Sequence, residues 1–289
     1  MTGSLDRAIV ITGASTGIGR AAVTRAVKEG AHVFGSVRKQ ADADGLKQEF
    51  GDKVTPLIFD VIDEAAIEAG AAQVATALGN RHLFGLVNNA GIAVPGPLLH
   101  LSAEDLTRQL DVNLVGVHRV TRAFAGVLGA DKARTGKPGR IVMISSVGGQ
   151  NGMPFVGPYA ASKFALEGYS QSLRRELLLY GIDVIVLGPG SIATPIWEKA
   201  EQSDMQRFKN TDYAKAVDSV ADYMIKQGKE GLPPEAMGDL IWKALTIARP
   251  KTRYHILRKP FMDRTLPRMM NPRTVDGIIA KRLGFPKRP

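Results

Sequence analysis

The sequence predicts an α/β fold in which about seven mostly parallel strands form a doubly wound sheet with helices on both faces. Short apolar, β-branched segments alternate with longer helical patterns along most of the 289 residues. A glycine-rich turn joins the first of these strands to the first helix. Neither an internal repeat nor a low-complexity linker divides the chain. Strand–helix alternation without a break indicates one domain built on a parallel sheet.

The predicted elements follow one another in regular order. Apolar runs bounded by glycine or polar residues predict strands at 8–12, 32–37, 55–59, 83–87, 140–144, 182–187 and 252–256. Helical periodicity predicts helices at 18–29, 64–78, 103–128 and 159–180, the third of them interrupted by an Asn-Leu-Val-Gly patch. The arrangement is typical of the Rossmann-type fold.

The single domain, 1–289, carries two additions. An insertion at about 191–248 precedes the last strand, and a basic extension occupies about 257–289. We expect the first part of the insertion to form a lid, since apolar side chains stand there among many charges. They are Ile196, Trp197, Met205, Phe208, Tyr213, Tyr223 and Met224.

Composition excludes several classes of protein. Hydrophobic residues make up 44% of the chain and charged residues 23%, as in ordinary globular proteins. No apolar run approaches the roughly 18 residues that span a bilayer, and the polar N-terminus does not resemble a secretory signal. The chain has no cysteine, which excludes disulfides and thiol catalysis. We expect a cytoplasmic protein without a metal site.

The net charge of +10 lies entirely in the last 41 residues. Residues 1–248 hold 26 Lys/Arg and 26 Asp/Glu, whereas residues 249–289 hold 12 and 2. Within this tail, Asn271, Pro272 and Gly284 have the positions of a helix cap, a first helical residue and a helix stop. Val275, Ile278, Ile279 and Leu283 would form its apolar face. Packing on the body or on a second subunit is favoured, contact with an anionic membrane surface is the alternative, and nucleic-acid binding is not expected.

The glycine-rich turn suits a dinucleotide. Gly13 permits a tight turn, Gly17 lets the backbone approach a pyrophosphate, and Gly19 allows close packing of helix on strand. The free N–H groups of the helix N-terminus would bind the phosphates. The predicted contacts in this segment are Gly13, Ser15, Thr16, Gly17, Ile18 and Gly19.

The end of the second strand favours NADP(H) over NAD(H). An acidic residue there would bind both ribose hydroxyls and repel a 2′-phosphate. The sequence instead has Arg38, followed by Lys39. A guanidinium can bind a phosphate with charge-assisted hydrogen bonds and stack on adenine. NAD(H) remains the alternative.

A second group of motifs indicates the chemistry. Tyr159 and Lys163 form a Tyr-x-x-x-Lys pattern, and Ser146 lies 13 residues before Tyr159 at the end of the fifth strand. Residues 88–91 read Asn-Asn-Ala-Gly after the fourth strand, and Asn113 lies in the next helix. Together with the glycine turn, these motifs resemble the short-chain dehydrogenase/reductase family over about residues 8–195. Residues 33–38 and 194–199 are similar to its hydroxysteroid and retinol dehydrogenase branches.

The catalytic roles follow in part from the residues and in part from the resemblance. Tyr159 and Lys163 are four apart, so they lie on one helix face, and the ammonium is expected to lower the pKa of the phenol. Tyr159 would exchange a proton with the substrate oxygen. The resemblance implies that Ser146 binds the same oxygen, that Lys163 also bonds the nicotinamide ribose, and that Asn113 holds a relay water.

Further cofactor contacts are implied by the resemblance. They are Asp60, Val61, Asn89, Ala90, Gly91, Tyr159, Lys163, Pro189, Gly190, Ile192 and Thr194. Family members often carry Asn or Glu before the Pro-Gly pair at 189–190, and this chain has Gly188. The departure concerns the geometry of the loop, because glycine adds conformational freedom.

The motifs therefore predict an oxidoreductase that moves a hydride between a nicotinamide and an alcohol or carbonyl compound. Phe155, Val156 and the apolar lid favour a lipophilic, steroid- or retinoid-like substrate. A β-ketoacyl thioester reductase and a non-catalytic NADP(H) sensor are the alternatives; the complete catalytic set argues against the sensor. The resemblance also implies a homodimer or homotetramer.

Overall fold

A computed structural model describes residues 4–195, 205–260 and 265–285. Its centre is one seven-stranded sheet in which all neighbouring strands are parallel, in the order β3-β2-β1-β4-β5-β6-β7. The strands are β1 Ser4–Ile11, β2 Ala31–Val37, β3 Val54–Ile58, β4 Gly85–Asn88, β5 Arg140–Ile144, β6 Asp183–Pro189 and β7 Arg253–Ile256. The predicted doubly wound fold is confirmed, and each predicted strand is present.

The helices cover both faces of this sheet. They are α1 Gly17–Lys28, α2 Gln40–Phe50, α3 Glu64–Leu78, α4 Ala103–Leu110, α5 Gly116–Ala125, α6 Gly157–Glu176, α7 Ala214–Lys229, α8 Pro234–Thr246, α9 Leu266–Met269 and α10 Pro272–Arg282. None of the helices within the described ranges is long and apolar enough to cross a membrane. Helix α2 was absent from the sequence prediction, because few of its residues, chiefly Ala43 and Leu46, are buried and its apolar period is weak.

Two hydrophobic cores lie on opposite faces of the sheet. One includes Leu86, Phe124 and Leu166, and so joins β4 to α5 and α6. The other includes Ile9, Val23 and Trp242, and so joins β1 to α1 and α8. The predicted insertion at 191–248 therefore holds two different parts, since its last helix, α8, covers the sheet beside α1.

The chain between α4 and α5 is a π-helical turn, Asp111–Val115, which contains Asn113. A second π-helical turn, Gly126–Ala130, follows α5 and ends the helical region predicted at 103–128. π-Turns add a residue to the helix and are frequent at functional sites. The first one lies where the sequence pattern predicted an interruption.

The basic extension contains the predicted helix. Asn271 caps α10 by accepting a hydrogen bond from the Arg273 N–H at 2.9 Å, and Gly284 ends the helix with φ of +69°. Leu283 and Phe285 pack against Tyr213 and Phe155 of the body. The extension thus packs on the domain through its C-terminal end, which is the favoured alternative of the sequence analysis.

Candidate active site

The candidate site lies at the carboxyl edge of the sheet. Parallel strands present their carboxyl ends at one edge, where ligands of open α/β sheets bind. Thr12 follows β1, Asn89 follows β4, and Ser146 follows β5 by two residues. The segment from Gly190 to Thr194 follows β6 at the same edge. Topology alone therefore brings together motifs that are far apart in the sequence.

The glycine turn has the close approaches that a dinucleotide requires. Gly13 and Gly17 have φ of +67° and +55°, in the left-handed region that favours glycine. A side chain at Gly19 would collide with the carbonyl group of Gly13, and one at Gly17 would lie 3.1 Å from Thr194. The turn therefore faces the loop after β6, and both contributed residues to the predicted cofactor set.

The start of α1 is suited to an anion. Thr16 precedes the helix in an extended conformation, and within the described chain no side chain caps the first turn and no acidic residue lies in it. The N–H groups of that turn can thus bind phosphate oxygens, assisted by the helix dipole. Ser15 and Ile18 are half-buried beside it. These observations fit a bound pyrophosphate.

Asn89 and Ala90 are joined to β1 by Thr12, whose role the motif analysis missed. The Thr12 hydroxyl accepts hydrogen bonds from the backbone N–H groups of Asn89 at 2.9 Å and Ala90 at 3.0 Å. The Asn89 side chain donates to the Thr12 carbonyl at 2.9 Å. A side chain at Gly91 would lie 3.2 Å from Asn113 Oδ1, so this glycine permits a close approach to the π-turn.

Arg38 and Asp60 form the outer end of the proposed cofactor site. The Arg38 guanidinium lies 3.7 Å from the Asp60 carboxylate, and the Arg38 side chain is 63% exposed. Asp60 Oδ1 also accepts a hydrogen bond from the Ile62 N–H at 3.3 Å. Val61 is buried and lies close to Gly116. The exposed guanidinium can rotate towards a phosphate because its ion pair with Asp60 is long.

Tyr159 and Ser146 face each other across the gap between α6 and the end of β5. Burial raises the pKa of Tyr159, and a hydrogen bond with Ser146 acts in the opposite direction by stabilising the phenolate. Ser146 Oγ also accepts a hydrogen bond from the Gly148 N–H at 3.0 Å. A side chain at Gly148 would lie 3.4 Å from both Ser146 Oγ and the Tyr159 ring, so the two predicted catalytic side chains lie beside the same glycine.

Lys163 is buried beneath this pair. Its Nζ donates to the Ile144 carbonyl at 2.8 Å and lies 5.7 Å from the centre of the Tyr159 ring. Burial lowers the pKa of Lys163 to about 8. The pKa of Tyr159 is raised on balance, because burial of the phenol outweighs the stabilisation of its phenolate by Ser146. The predicted lowering of this pKa by Lys163 stays a prediction. A phenol in this setting retains its proton at neutral pH.

The Asn113 side chain joins the loop after β4 to α6. Its Oδ1 accepts from the Ile92 N–H at 2.9 Å, and its Nδ2 donates to the Ile92 carbonyl at 3.1 Å and to Ser162 Oγ at 3.1 Å. Ser162 in turn donates to the Tyr159 carbonyl at 2.7 Å. Asn113 thus holds the backbone near Tyr159, and its role in a water relay stays a prediction.

The loop after β6 approaches the glycine turn from the other side. The Gly190 N–H donates to the Ile256 carbonyl at 2.9 Å, which fixes the start of the loop beside β7. Ile192 is buried, and Thr194 contacts the space above Gly17. Pro189 ends β6. The predicted cofactor contact at Thr194 is thereby placed across from the glycine turn.

Apolar side chains from four segments form a cluster that we call the lid cluster. Its buried members are Phe155, Phe208, Ala216 and Val217, and Leu101, Tyr213, Val220, Leu283 and Phe285 pack against them. The ring centres of Phe155, Tyr213 and Phe285 lie 5.8 to 6.5 Å apart. Phe155 has φ of +64°, a strained value for a residue other than glycine.

One member of the lid cluster, Phe155, lies four residues before Tyr159 in the chain. Phe155 accepts a hydrogen bond from the Gly96 N–H at 2.7 Å, which joins the loops after β4 and β5. Among the predicted lid residues, Ile196 and Trp197 lie outside the described residues. The predicted contribution of Phe155, Phe208 and Tyr213 to an apolar surface is consistent with their packing. Phe285 is not among the predicted lid residues, because its sole signal in the sequence is its apolar character in a basic tail.

Comparison with known proteins agrees with this geometry. A family model described as short chain dehydrogenase matches residues 7–205. The NADPH-dependent 3-dehydrocapnine reductase of Ornithobacterium rhinotracheale is 36% identical over 277 residues, which cover 96% of this chain and 97% of that protein. Retinol dehydrogenase 7 of Rattus norvegicus is 32% identical over 267 residues, which cover 86% of this chain and 80% of that protein.

A solved structure gives the same result. A short-chain dehydrogenase from Streptomyces avermitilis superposes with a TM-score of 0.74 and 26% identity, covering 95% of each chain. Fold and site define an oxidoreductase that binds a nicotinamide dinucleotide and acts on an alcohol or carbonyl group. The chain belongs to the short-chain dehydrogenase family.

Burial of the Lys163 ammonium is expected to lower the free energy of unfolding of the protein. The pKa of Lys163 falls from 10.5 to about 8 on folding, so its burial opposes folding fully below about pH 8 and progressively less as the pH rises to 10.5. The penalty is roughly 3 kcal/mol, and loss of the hydrogen bond to Ile144 offsets about 1 kcal/mol. Lys163→Met should therefore raise the free energy of unfolding by roughly 2 kcal/mol at neutral pH.

Urea unfolding of wild type and Lys163→Met across this pH range measures the effect. The matched control is Lys28→Met, which removes an exposed lysine of α1. The gain at Lys163 should shrink as the pH rises, whereas the control should show no such trend. A loss of stability at neutral pH, or a gain independent of pH, would contradict the assignment.

Proposed function

We propose that this chain is an NADP(H)-preferring oxidoreductase that reduces a lipophilic ketone or aldehyde, with Tyr159 as the proton donor. The observation that carries the proposal is the placement of Tyr159 and Ser146 beside Gly148, next to the buried ammonium of Lys163. When bound, the nicotinamide supplies or accepts the hydride. The protein residues orient the substrate oxygen and transfer its proton.

The state of Tyr159 favours the direction of reduction. Burial raises the pKa of the phenol, so the side chain carries its proton at neutral pH and can donate it to a carbonyl oxygen that gains charge. Ser146 would donate a hydrogen bond to the same oxygen. Lys163, with a pKa of about 8, would be protonated at neutral pH and would stabilise the phenolate left after the transfer.

The preference for NADP(H) rests on Arg38. Its exposed guanidinium stands at the end of β2, where the adenosine ribose of a dinucleotide is expected. The reductase of Ornithobacterium rhinotracheale, which is NADPH-dependent by its description, supports the same choice. NAD(H) remains the alternative, since Asp60 lies beside Arg38 and could bind a ribose hydroxyl.

A lipophilic substrate is supported by the lid cluster. Aromatic side chains from the loop after β5, the lid and the C-terminal extension meet there, four residues from Tyr159 in the chain. Such surfaces bind apolar ligands and exclude water from charged groups. The similarity to a retinol dehydrogenase agrees with this class. A β-ketoacyl thioester is the rival substrate, and the basic extension would then attract the carrier phosphate.

We also infer self-association through α4, α5 and α6. Exposed apolar side chains on or between these helices include Leu106, Val115 and Phe164. Leu178 and Leu179, just after α6, are 70% and 73% exposed. A second copy of this chain would cover this surface, in agreement with the dimer or tetramer expected from the family resemblance.

The reaction is tested first at Tyr159. Tyr159→Phe removes the hydroxyl proton and leaves the ring, so we expect kcat for NADPH-dependent reduction of lipophilic ketones to fall by at least about 100-fold. NADPH binding, measured by fluorescence titration, should change little. Tyr180→Phe, at the far end of the same helical region, is the control. Unchanged turnover in Tyr159→Phe would contradict the proposal, and binding without turnover in wild type would favour the sensor.

The cofactor preference is tested at Arg38. Arg38→Ala removes a charge-assisted hydrogen bond to the 2′-phosphate, so NADPH affinity should fall about 10- to 100-fold while NADH affinity stays the same. Lys39→Ala, which removes the neighbouring cation, is the control and should have a smaller effect. Equal binding of both cofactors by wild type, unaffected by Arg38→Ala, would show that NADP(H) is not preferred.

The apolar surface is tested at Phe285. Phe285→Ala removes one ring of the lid cluster, so KM for long-chain or polycyclic ketones should rise several-fold, with a smaller change for short ketones. Ile278→Ala, on the exposed side of α10, is the control. An equal rise in KM for short and long ketones would contradict a role in substrate selection.

A further inference from the structure

A row of three contacts joins α6 to the end of β5. Lys163 Nζ donates to the carbonyl of Ile144, and the Glu167 carboxylate accepts a hydrogen bond from the hydroxyl of Ser145. Tyr159 lies beside Ser146, since a side chain at Gly148 would lie 3.4 Å from both. The three helix residues are spaced by four, so they lie on one helix face. The last residue of β5 and the two residues that follow it are thus each approached by a side chain of this helix face. The proposed mechanism uses two of these contacts and leaves the third unexplained.

Glu167 is a buried carboxylate with a second partner on β7, two strands away from β5 in the sheet. Its other oxygen forms an ion pair with Arg253 of β7. The Arg253 Nε donates to His255 Nε2 at 3.0 Å, which holds the guanidinium along the strand. Both members of the pair are largely buried, and a buried charge of this kind requires its partner.

The Arg253 side chain occupies space that Gly188 leaves open. A Cβ atom at Gly188 would lie 2.7 Å from Arg253 Nη2 and 3.1 Å from His255 Nδ1. Gly188 is paired with His255 in the sheet, and Leu187 accepts a backbone hydrogen bond from Ser145. Gly188 replaces the Asn or Glu common at this position in the family, and the space it leaves is filled by the Arg253 guanidinium, which crosses β6 to reach Glu167.

We propose that Glu167, held by Arg253, is a positioning residue that fixes Ser145 and thereby sets the Ser146 hydroxyl against Tyr159. The inference rests on the proposed function for its effect on turnover. Ser145 and Ser146 are adjacent, so a rotation or shift of the strand end at Ser145 displaces Ser146 directly. Misplacement of this hydroxyl removes a hydrogen bond from the phenolate and from the reacting oxygen.

The first test deletes the link between the ion pair and the strand. Ser145→Ala removes the hydroxyl that bonds Glu167 and leaves the pair with Arg253 intact. The matched control is Ser170→Ala, which deletes another buried hydroxyl of this region, bonded to the Leu166 carbonyl at 2.6 Å. We expect kcat to fall about tenfold in Ser145→Ala, with little change in KM or NADPH affinity.

A spectroscopic measurement separates positioning from general destabilisation. The phenolate of Tyr159 is followed by ultraviolet absorbance after an alkaline pH jump, as the difference between each protein and the same protein carrying Tyr159→Phe. Loss of the bond from Ser146 should raise the pKa of Tyr159 further in Ser145→Ala and leave it unchanged in Ser170→Ala. Identical kcat and titration in the two variants would overturn the proposal.

The second test removes both charges together. In Glu167→Leu/Arg253→Met an apolar pair replaces the ion pair, an exchange that is often neutral or stabilising in buried sites. We expect wild-type thermal stability, together with the reduced kcat and the raised pKa of Tyr159 seen in Ser145→Ala. Recovery of wild-type kcat and titration would show that the pair merely stabilises the fold. Should this double variant not fold, Ser145→Ala decides the question.

The titration also keeps this proposal separate from the proposed function. It is measured on the protein without cofactor or substrate, so it reports the place of Ser146 even where no ketone is turned over. A shift in the pKa of Tyr159 with no turnover in wild type would support the positioning role and contradict the reductase. Turnover in wild type, with an unchanged pKa of Tyr159 in Ser145→Ala, would support the reductase and contradict the positioning role.

Discussion

The burial of the Lys163 ammonium between α6 and β5 is the constraint on which the site depends. A cation without water must have polar partners, and the Ile144 carbonyl at 2.8 Å is one of them. This bond requires α6 to lie close to the end of β5. The turn after Ser146 permits this, because a side chain at Gly149 would come within 2.9 Å of the Lys163 carbonyl. The same approach sets Tyr159 against Ser146.

One low-dielectric environment changes both titrating groups in opposite senses. Burial raises the pKa of the phenol above its ordinary 10.0 and lowers that of the ammonium from 10.5 to about 8, so the two values move apart. The arrangement holds Tyr159 as an acid and keeps Lys163 near the pH at which it can release or accept a proton.

Local patterns predicted the elements, and long-range contacts explain what was missed. The glycine turn, the strands and the Asn271-capped helix each have a signal within a few residues, and all were found. The role of Thr12 needed the pairing of β1 with β4, since its partners lie 77 and 78 residues away. The sign of the shift at Tyr159 depends on burial, which the spacing of Tyr159 and Lys163 does not reveal.

The Glu167–Arg253 pair shows the same limit most clearly. Its partners are 86 residues apart, and each has the appearance of an ordinary surface charge in the sequence. Gly188 was recognised as a departure from the family pattern, but its consequence depends on which side chain fills the open space. Once Arg253 is placed there, the glycine, the arginine and the buried glutamate have one explanation.

The C-terminal extension packs on the body of the domain through Leu283 and Phe285. These two apolar residues belong to the lid cluster. Among the described residues of the extension, Arg258, Lys259, Arg273, Lys281 and Arg282 are exposed. A helix that packs through one end leaves most of its polar residues exposed. In this segment most of the charged residues are lysine or arginine, so the exposed surface is positively charged. The extension therefore has its positive charges on one side and its apolar contacts with the lid cluster on the other. Phe285 contacts Phe155, four residues before Tyr159 in the chain, so packing joins the extension to the loop that leads into α6.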